Sequence, residues 1–297
     1  MPHRSFLAEV RDAVTPRATL LILGVIALQL LFIASYVGAL HDPKPRDVPF
    51  GVVAPQDASA QAVTRLERLP GSPLDPRALP DEATARNQIM TRDIDAALVI
   101  DPTGTTDTLL VASGGGRVSS FYLVIGWSVG GYLGAAALAI SAGAKPADPT
   151  RAAIRLAVLA LVAIIGGLGG ALIAGPVLDA VPGSTAALWG LGTLIIFAVG
   201  AATLALQGLF GTIGIGLVIL LVVILGNPSA GGALPPPLLP PFWKAIGPAL
   251  PPGAGTWATR SIAYFDTHAM TGPLLVLAAW ALAGTAITLT AAARRKT

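Results

Sequence analysis

The 297-residue chain is 54% apolar and only 12% charged, with a mean hydropathy of +0.71, whereas an ordinary soluble domain carries charge on about a quarter of its residues. This composition excludes a soluble globular protein and predicts that lipid covers part of the surface. The net charge of +3 comes without a basic stripe interleaved with aromatics, which argues against a nucleic-acid partner, and the lack of cysteine excludes disulfides and thiolate metal sites.

The chain begins with a short segment before its first apolar run. In residues 1–17, Phe6, Val10 and Val14 recur at helical spacing, which predicts an amphipathic helix on the cytoplasmic membrane surface. Residues 18–40 predict the first transmembrane helix, because their apolar run exceeds the 7–15 residues or so of a signal peptide. A cleaved signal peptide is the alternative, since Val37-Gly38-Ala39 is compatible with cleavage.

Residues 41–119 mix short strand and helix patterns and predict a small α/β domain. Strands are predicted over 48–54, 94–100 and 108–112, and helices over 58–69 and 81–92. We expect the domain to be extracytoplasmic and to fold around five apolar residues: Val52, Leu66, Ile89, Leu98 and Ile100.

Residues 120–297 predict a membrane domain with five more transmembrane helices. Crossing a bilayer core takes about 20 apolar residues, and the segments that qualify are 120–142, 154–175, 185–206, 208–226 and 273–292. The predicted fold class is therefore mainly α: a polytopic membrane protein with about six transmembrane helices and a small α/β domain between the first and second. Two of these segments nearly touch at Gln207-Gly208, which predicts a tight hairpin. Five spans result if that hairpin is re-entrant.

Residues 227–272 form a proline-rich outer segment within the membrane domain. Nine of the 25 prolines lie between Pro228 and Pro252, and proline at this density does not sustain an ordinary helix. The apolar residues between them predict short, broken, half-inserted helices. Because Trp and Tyr favour the membrane–water boundary, Trp243, Trp257 and Tyr264 are predicted to anchor the segment at the outer interface.

Basic residues near the spans predict the orientation. Lys and Arg cluster before the first span, between the second and third, and after the sixth. With six spans all three clusters share one face, which the positive-inside rule makes cytoplasmic. The prediction is a multi-pass protein of the cytoplasmic membrane, in contact with membrane lipid, with both termini cytoplasmic.

Two glycine-rich motifs could suggest catalysis or nucleotide binding. Gly126 to Gly130 spells the GxSxG of a hydrolase elbow, but it lies inside an apolar helix rather than between a strand and a helix. The run Gly166 to Gly170 lacks the following Lys-Ser/Thr of a phosphate loop. Both predict close helix packing through small residues. We therefore expect no enzyme activity, cofactor or metal site in this chain.

The predicted spans carry no charge near the middle of the membrane. Arg155, at a helix entrance, is the one charged residue inside them. Carriers driven by protons or ions usually hold a titratable residue there. A translocation path through these helices would therefore suit hydrophobic or amphiphilic substrates, with energy supplied from elsewhere.

Two stretches carry a resemblance to a known family. Asp81–Ser113 has a helix leading into a strand that ends in an apolar-acid-Pro turn, and Asn227–Phe265 has an Asn-Pro opening, two proline steps and an Ala-x-Arg-Ser-like helix. Together with the order of spans, these stretches resemble the permeases of type 2 ABC transporters. The phage-infection-protein family, a sister group with a much larger outer domain, has similar features.

The resemblance implies the membrane-spanning permease subunit of an ABC-type exporter. A separate cytoplasmic ATPase subunit and a second permease copy or homologous permease would be its partners. In that family the loop between spans two and three contacts the ATPase, and the matching positions are Lys145, Asp148, Arg151 and Arg155. The alternative is a non-transporting cell-envelope scaffold or interaction protein.

Overall fold

The computed structural model describes residues 45–101, 107–111, 117–142 and 149–294. Within them, a small α/β domain precedes a bundle of apolar helices. The predicted amphipathic helix over 1–17 and the first predicted span over 18–40 lie outside the described residues.

The α/β domain is a four-stranded sheet with two helices. In chain order its elements are β1 (Val48–Val53), α1 (Gln56–Glu67), β2 (Leu74–Leu79), α2 (Glu82–Thr91), β3 (Ala96–Val99) and β4 (Thr108–Val111). The strand order is β2-β1-β3-β4, with β1 parallel to both β2 and β3, and β4 antiparallel to β3. This confirms the three predicted strands and the two predicted helices, each shifted by a few residues at most at its ends.

Strand β2 was not predicted, and Pro76 explains why. Proline cannot donate a ladder hydrogen bond, so its presence argues against a central strand. The structure places β2 at the edge of the sheet, with Pro76 paired to Phe50 of β1. An edge strand has one unpaired side, and there proline is tolerated.

Helix α2 is defined by residues at its two ends. Asp81 caps its start, accepting a hydrogen bond from the Thr84 amide at 2.7 Å, and this bond lowers the pKa of the Asp81 carboxyl below its ordinary value. Arg92 ends the helix in the left-handed region, at φ 66°. The chain therefore turns sharply from α2 into β3.

The domain core differs in part from the prediction. Val52 and Ile89 are buried, whereas Leu98 is only half-buried, as are Leu66 and Ile100. The buried positions near β3 are Ile94 and Ala97. Side chains alternate faces along a strand, and the prediction chose the less covered face of β3.

The bundle contains four long helices and three shorter ones. They are α3 (Arg117–Ala142), α4 (Pro149–Leu172, continued as a π-helical turn Ile173–Val177), α5 (Thr185–Phe210), α6 (Ile213–Ser229, with a π-helical stretch Ile219–Gly226), α7 (Pro241–Ile246), α8 (Pro251–Tyr264) and α9 (Thr271–Ala293). Single 3-10 turns at Pro236–Leu238 and Gly247–Ala249 flank α7.

Among the described helices, four are long and apolar enough to cross a membrane: α3, α4, α5 and α9. The chain is thus a mainly α-helical membrane protein. Helix α6 falls short of the length expected for a span, since its residues rise about 25 Å at 1.5 Å each. Four of the six predicted spans therefore correspond to described helices of full length. Of the other two, the span over 18–40 lies outside the described residues, and the span over 208–226 corresponds to the shorter α6.

The predicted hairpin turn lies a few residues later than expected. Helix α5 runs past Gln207-Gly208 to Phe210, and Gly211 turns the chain at φ 68°. Gly214 then passes so close to the Leu206 backbone that a side chain there would collide with it. The glycines after the turn, rather than Gln207-Gly208, allow the tight return.

Helix α5 is buried along most of its length and packs against α3, α4 and α9. Trp127 of α3 is 3% exposed and lies against the backbone of Gly192 in α5 and Gly170 in α4. Gly167 of α4 likewise approaches the Thr193 backbone. The packing role predicted for the Gly166–Gly170 run is therefore confirmed, at Gly167 and Gly170.

None of the described residues packs against the two glycines of the GxSxG motif, since a methyl group added at Gly126 or Gly130 would meet no described atom within 4 Å. Their packing role stays a prediction. The close approach occurs one residue later, where Gly131 lies against the carbonyl of Ile196. Between the glycines, Ser128 is buried in the bundle at 1% exposure.

Candidate functional site

The proline-rich segment enters the bundle from the side of the α/β domain and turns back. The indole of Trp280 in α9 donates to the carbonyl of Ala249 at 2.9 Å. Trp280 lies nine residues after Thr271, where α9 begins, so the segment reaches about 13 Å along that helix. Helix α8 then returns, ending where Gly183 touches Ile262. The structure thus contains the short, broken helices that the prolines predicted, and their half-insertion into the membrane stays a prediction.

Buried Arg260 holds the two ends of this segment together. Its guanidinium donates to the carbonyls of Gly231 and Gly232, at 2.7 and 3.1 Å. Gly231 has a φ of 69°, and Gly232 lies against the ring of Phe121. Arg260 therefore joins α8 to the bend that follows α6.

Arg92 connects the α/β domain to α8. One of its terminal nitrogens lies 3.0 Å from both the Trp257 carbonyl and the Ser261 hydroxyl oxygen. Its guanidinium carbon also lies 3.7 Å from the Trp257 ring centroid and 4.4 Å from that of Phe265. These contacts combine hydrogen bonds with cation–π attraction. Arg92 thus bridges the two stretches whose sequences carry the family resemblance.

Apolar packing continues the same interface. Phe265, which directly follows α8, is 6% exposed and packs in the core of the α/β domain with Ile89, Ile94 and Ala97. The α/β domain therefore has no complete core of its own, because a residue of the membrane domain fills part of it. The two regions are expected to be stable together rather than separately.

A cavity of about 740 Å³ lies between the α/β domain and the proline-rich segment. We call it the interdomain cavity. Its walls are mainly apolar and come from β1, α2, the start of β3, the proline steps, α8 and the beginning of α9. Four charged side chains line it: Arg92, Asp95, Lys244 and Arg260.

The loop from α8 to α9 forms one edge of this cavity. Asp266, Thr267 and Ala269 all have positive φ, at 44°, 64° and 56°. The Ala269 carbonyl accepts a hydrogen bond from the Trp257 indole at 3.1 Å. Non-glycine residues in this region carry backbone strain, which concentrates at binding and switch sites.

The three predicted interface anchors lie in different surroundings. Trp243 is half-buried in α7, with its ring 5.2 Å from that of Phe242. Trp257 and Tyr264 both line the interdomain cavity. Burial raises the pKa of the Tyr264 phenol, against an opposing effect of the Arg260 charge. The anchoring role of all three residues stays a prediction.

The predicted ATPase-contact residues are only partly described. Lys145 and Asp148 lie outside the described residues. Arg151 is exposed in the first turn of α4, while Arg155, one turn later, is buried at 6% exposure. Of these two arginines, only Arg151 presents its side chain to a partner at this end of the bundle.

Arg92, Lys244 and Arg260 were not singled out as site residues from the sequence. Arg260 and Ser261 did stand in the Ala-x-Arg-Ser-like pattern, which was a usable signal. Nothing local to Arg92 distinguishes it from other arginines, because its partners are 165 and 169 residues away.

Fold and site together define a mainly α-helical membrane protein whose small α/β domain packs against a proline-rich segment of short helices. No family model, curated protein or solved structure matches this chain.

Proposed function

We propose that this chain is the membrane-spanning permease subunit of an ABC-type exporter. It would move a hydrophobic or amphiphilic substrate across the cytoplasmic membrane, with six spans and both termini in the cytoplasm. A separate ATPase would supply the energy, and a second permease copy would complete the path.

The observation that carries the proposal is the interdomain cavity. It lies at the end of the bundle and is lined mainly by apolar groups, as expected of a site that binds an amphiphile during transport. The described full-length helices carry charge only near one end each, at Arg117 in the first turn of α3 and at Arg151 and Arg155 in the first two turns of α4. This arrangement favours an external energy source over an ion gradient.

The non-transporting alternative is favoured by a different observation. Arg92 and Phe265 join the α/β domain firmly to α8, as would suit a fixed platform for an envelope partner. A scaffold requires neither an ATPase nor a turnover cycle. A measurement of ATP hydrolysis therefore distinguishes the exporter from the scaffold.

The test is purification of the full chain together with a Walker-type ATPase encoded beside it. An exporter predicts a stable complex whose ATP hydrolysis rises when amphiphile is added. Reversing Lys145 and Arg151 to Glu should abolish the complex, because both residues lie in the loop that the resemblance assigns to ATPase contact.

Arg294→Glu is the matched control, since it reverses a basic residue that follows the last span and lies outside that loop. It should leave the complex intact. A complex unaffected by the double reversal would contradict the docking role. Failure of the unmutated chain to bind any ATPase would favour the scaffold.

A further inference from the structure

The size and walls of the interdomain cavity suit a small apolar molecule. Its volume of about 740 Å³ lies within the range of about 300–1,000 Å³ typical of small-molecule sites. Proline rings, together with Ile89, Ile94 and Val276, supply most of the lining. Such walls favour a hydrocarbon chain over a polar solute, because burying the chain removes apolar surface from water.

The charges around the cavity favour an anion. Of the described residues, three cationic side chains line it, Arg92, Lys244 and Arg260, against one carboxylate, Asp95. Arg92 and Arg260 already donate to protein oxygens, so they contribute mainly positive potential. Among the described residues, no hydrogen bond or ion pair engages the exposed Lys244 ammonium. Lys244 can therefore bind an acidic group directly.

We propose that the interdomain cavity binds a single-chain anionic amphiphile. The hydrocarbon chain packs along the proline and aliphatic walls, and the carboxylate or phosphate head accepts hydrogen bonds from the Lys244 ammonium. As a statement about the transported substrate this rests on the proposed export function, whereas binding itself does not.

The experiment uses the full chain in nanodiscs of phosphatidylcholine, without ATPase or nucleotide. Dibromostearate, whose bromines quench tryptophan fluorescence on contact, is the probe, because Trp257 lines the cavity. Palmitate and hexadecyl phosphate should displace it. Hexadecanol and hexadecyltrimethylammonium, which have the same chain without the negative charge, should displace it much more weakly.

Lys244→Gln should raise the dissociation constant about tenfold or more, as expected for loss of a hydrogen bond to a charged group. Arg65→Gln is the matched control, because Arg65 is an exposed cation on α1 that does not line this cavity. It should bind like the unmutated chain. Thermal unfolding of each variant verifies that it is folded.

Equal displacement by the cationic amphiphile would overturn the proposal. So would unchanged affinity in the Lys244→Gln variant, or displacement by two-chain phosphatidylglycerol alone. Binding without any ATPase partner would support the cavity and leave the exporter unsupported. A complex with an ATPase but no quenching by dibromostearate would support the exporter and contradict binding in the cavity.

Discussion

At the scale of single residues, glycines determine how closely the helices of the bundle approach, because they have no side chain. Trp127 is 3% exposed, and its indole fills the space that side chains at Gly170 and Gly192 would occupy. Small residues serve this purpose in membrane bundles because lipid provides no hydrophobic force to press helices together. Packing at contact distance must then supply much of the attraction.

Gly192→Ala should therefore destabilise the protein. The added methyl carbon would lie 2.5 Å from the Trp127 ring, and overpacking of this kind costs about 1–3 kcal/mol. Thermal unfolding in one neutral detergent measures the change as a lower melting temperature.

Gly190→Ala is the control on the same helix. A methyl group there meets no atom of a described residue within 4 Å, and Ala favours a helix over Gly by up to about 1 kcal/mol. This variant should be as stable as the original chain or slightly more so. Equal melting temperatures for the two variants would show that Trp127 does not pack as described.

At the scale of elements, α2 and α8 are the pair that joins the two regions of the protein. Arg92 occupies the left-handed position that ends α2, and this bend directs its side chain at Trp257 and Ser261 of α8. The helix end therefore has two roles: it turns the chain into β3, and it positions the contact with the membrane domain.

Arg92→Ala should loosen the α/β domain from α8. It removes the hydrogen bonds and the ring contacts, which together are worth about 2–3 kcal/mol. Amide hydrogen exchange should rise over β3 and at the end of α8. Amide hydrogen exchange in Arg92→Lys should lie between that of the unmutated chain and that of Arg92→Ala. The lysine ammonium keeps the charge but lacks the planar guanidinium that stacks on rings.

Arg86→Ala serves as the control on the same helix. Arg86 pairs with Glu82 on the exposed face, at 2.7 Å between Nε and Oε1, and such surface pairs contribute about 0–1 kcal/mol. Its exchange pattern should match that of the original chain. If Arg86→Ala and Arg92→Ala changed exchange at α8 equally, the contact made by Arg92 would not be what holds the domain.

At the scale of the whole molecule, the α/β domain and the proline-rich segment lie at the same end of the bundle. Arg151 and the α5–α6 turn at Gly211 lie at the opposite end, because α3 and α4 run antiparallel between them. The two ends thus differ in chemistry, because one holds the apolar cavity and the other the exposed side chain of Arg151.

The predicted orientation places Glu67 outside the cell and Thr150 inside. The chain has no cysteine, so Glu67→Cys and Thr150→Cys, both at exposed positions, give labelling without background. A membrane-impermeant maleimide should label the first in intact cells and the second only after permeabilisation.

Reporter fusions at the two termini should agree with each other, as an even number of spans requires. Labelling of Thr150→Cys in intact cells would show that the orientation is opposite to the predicted one. Opposite signals from the two termini would instead mean an odd number of spans, as in the re-entrant alternative.

The sequence by itself determined that this is a mainly helical membrane protein with a small α/β domain, because apolar runs and strand or helix periodicity are local patterns. It also located the proline-rich segment, since proline limits the backbone wherever it stands. The tertiary structure decided the rest. Pro76 is compatible with a strand only at a sheet edge, and the close approach of α3 to Ile196 of α5 is made by Gly131, just after the predicted motif. The partners of Arg92 lie more than 160 residues away, and the distance in sequence hides such contacts from any local pattern.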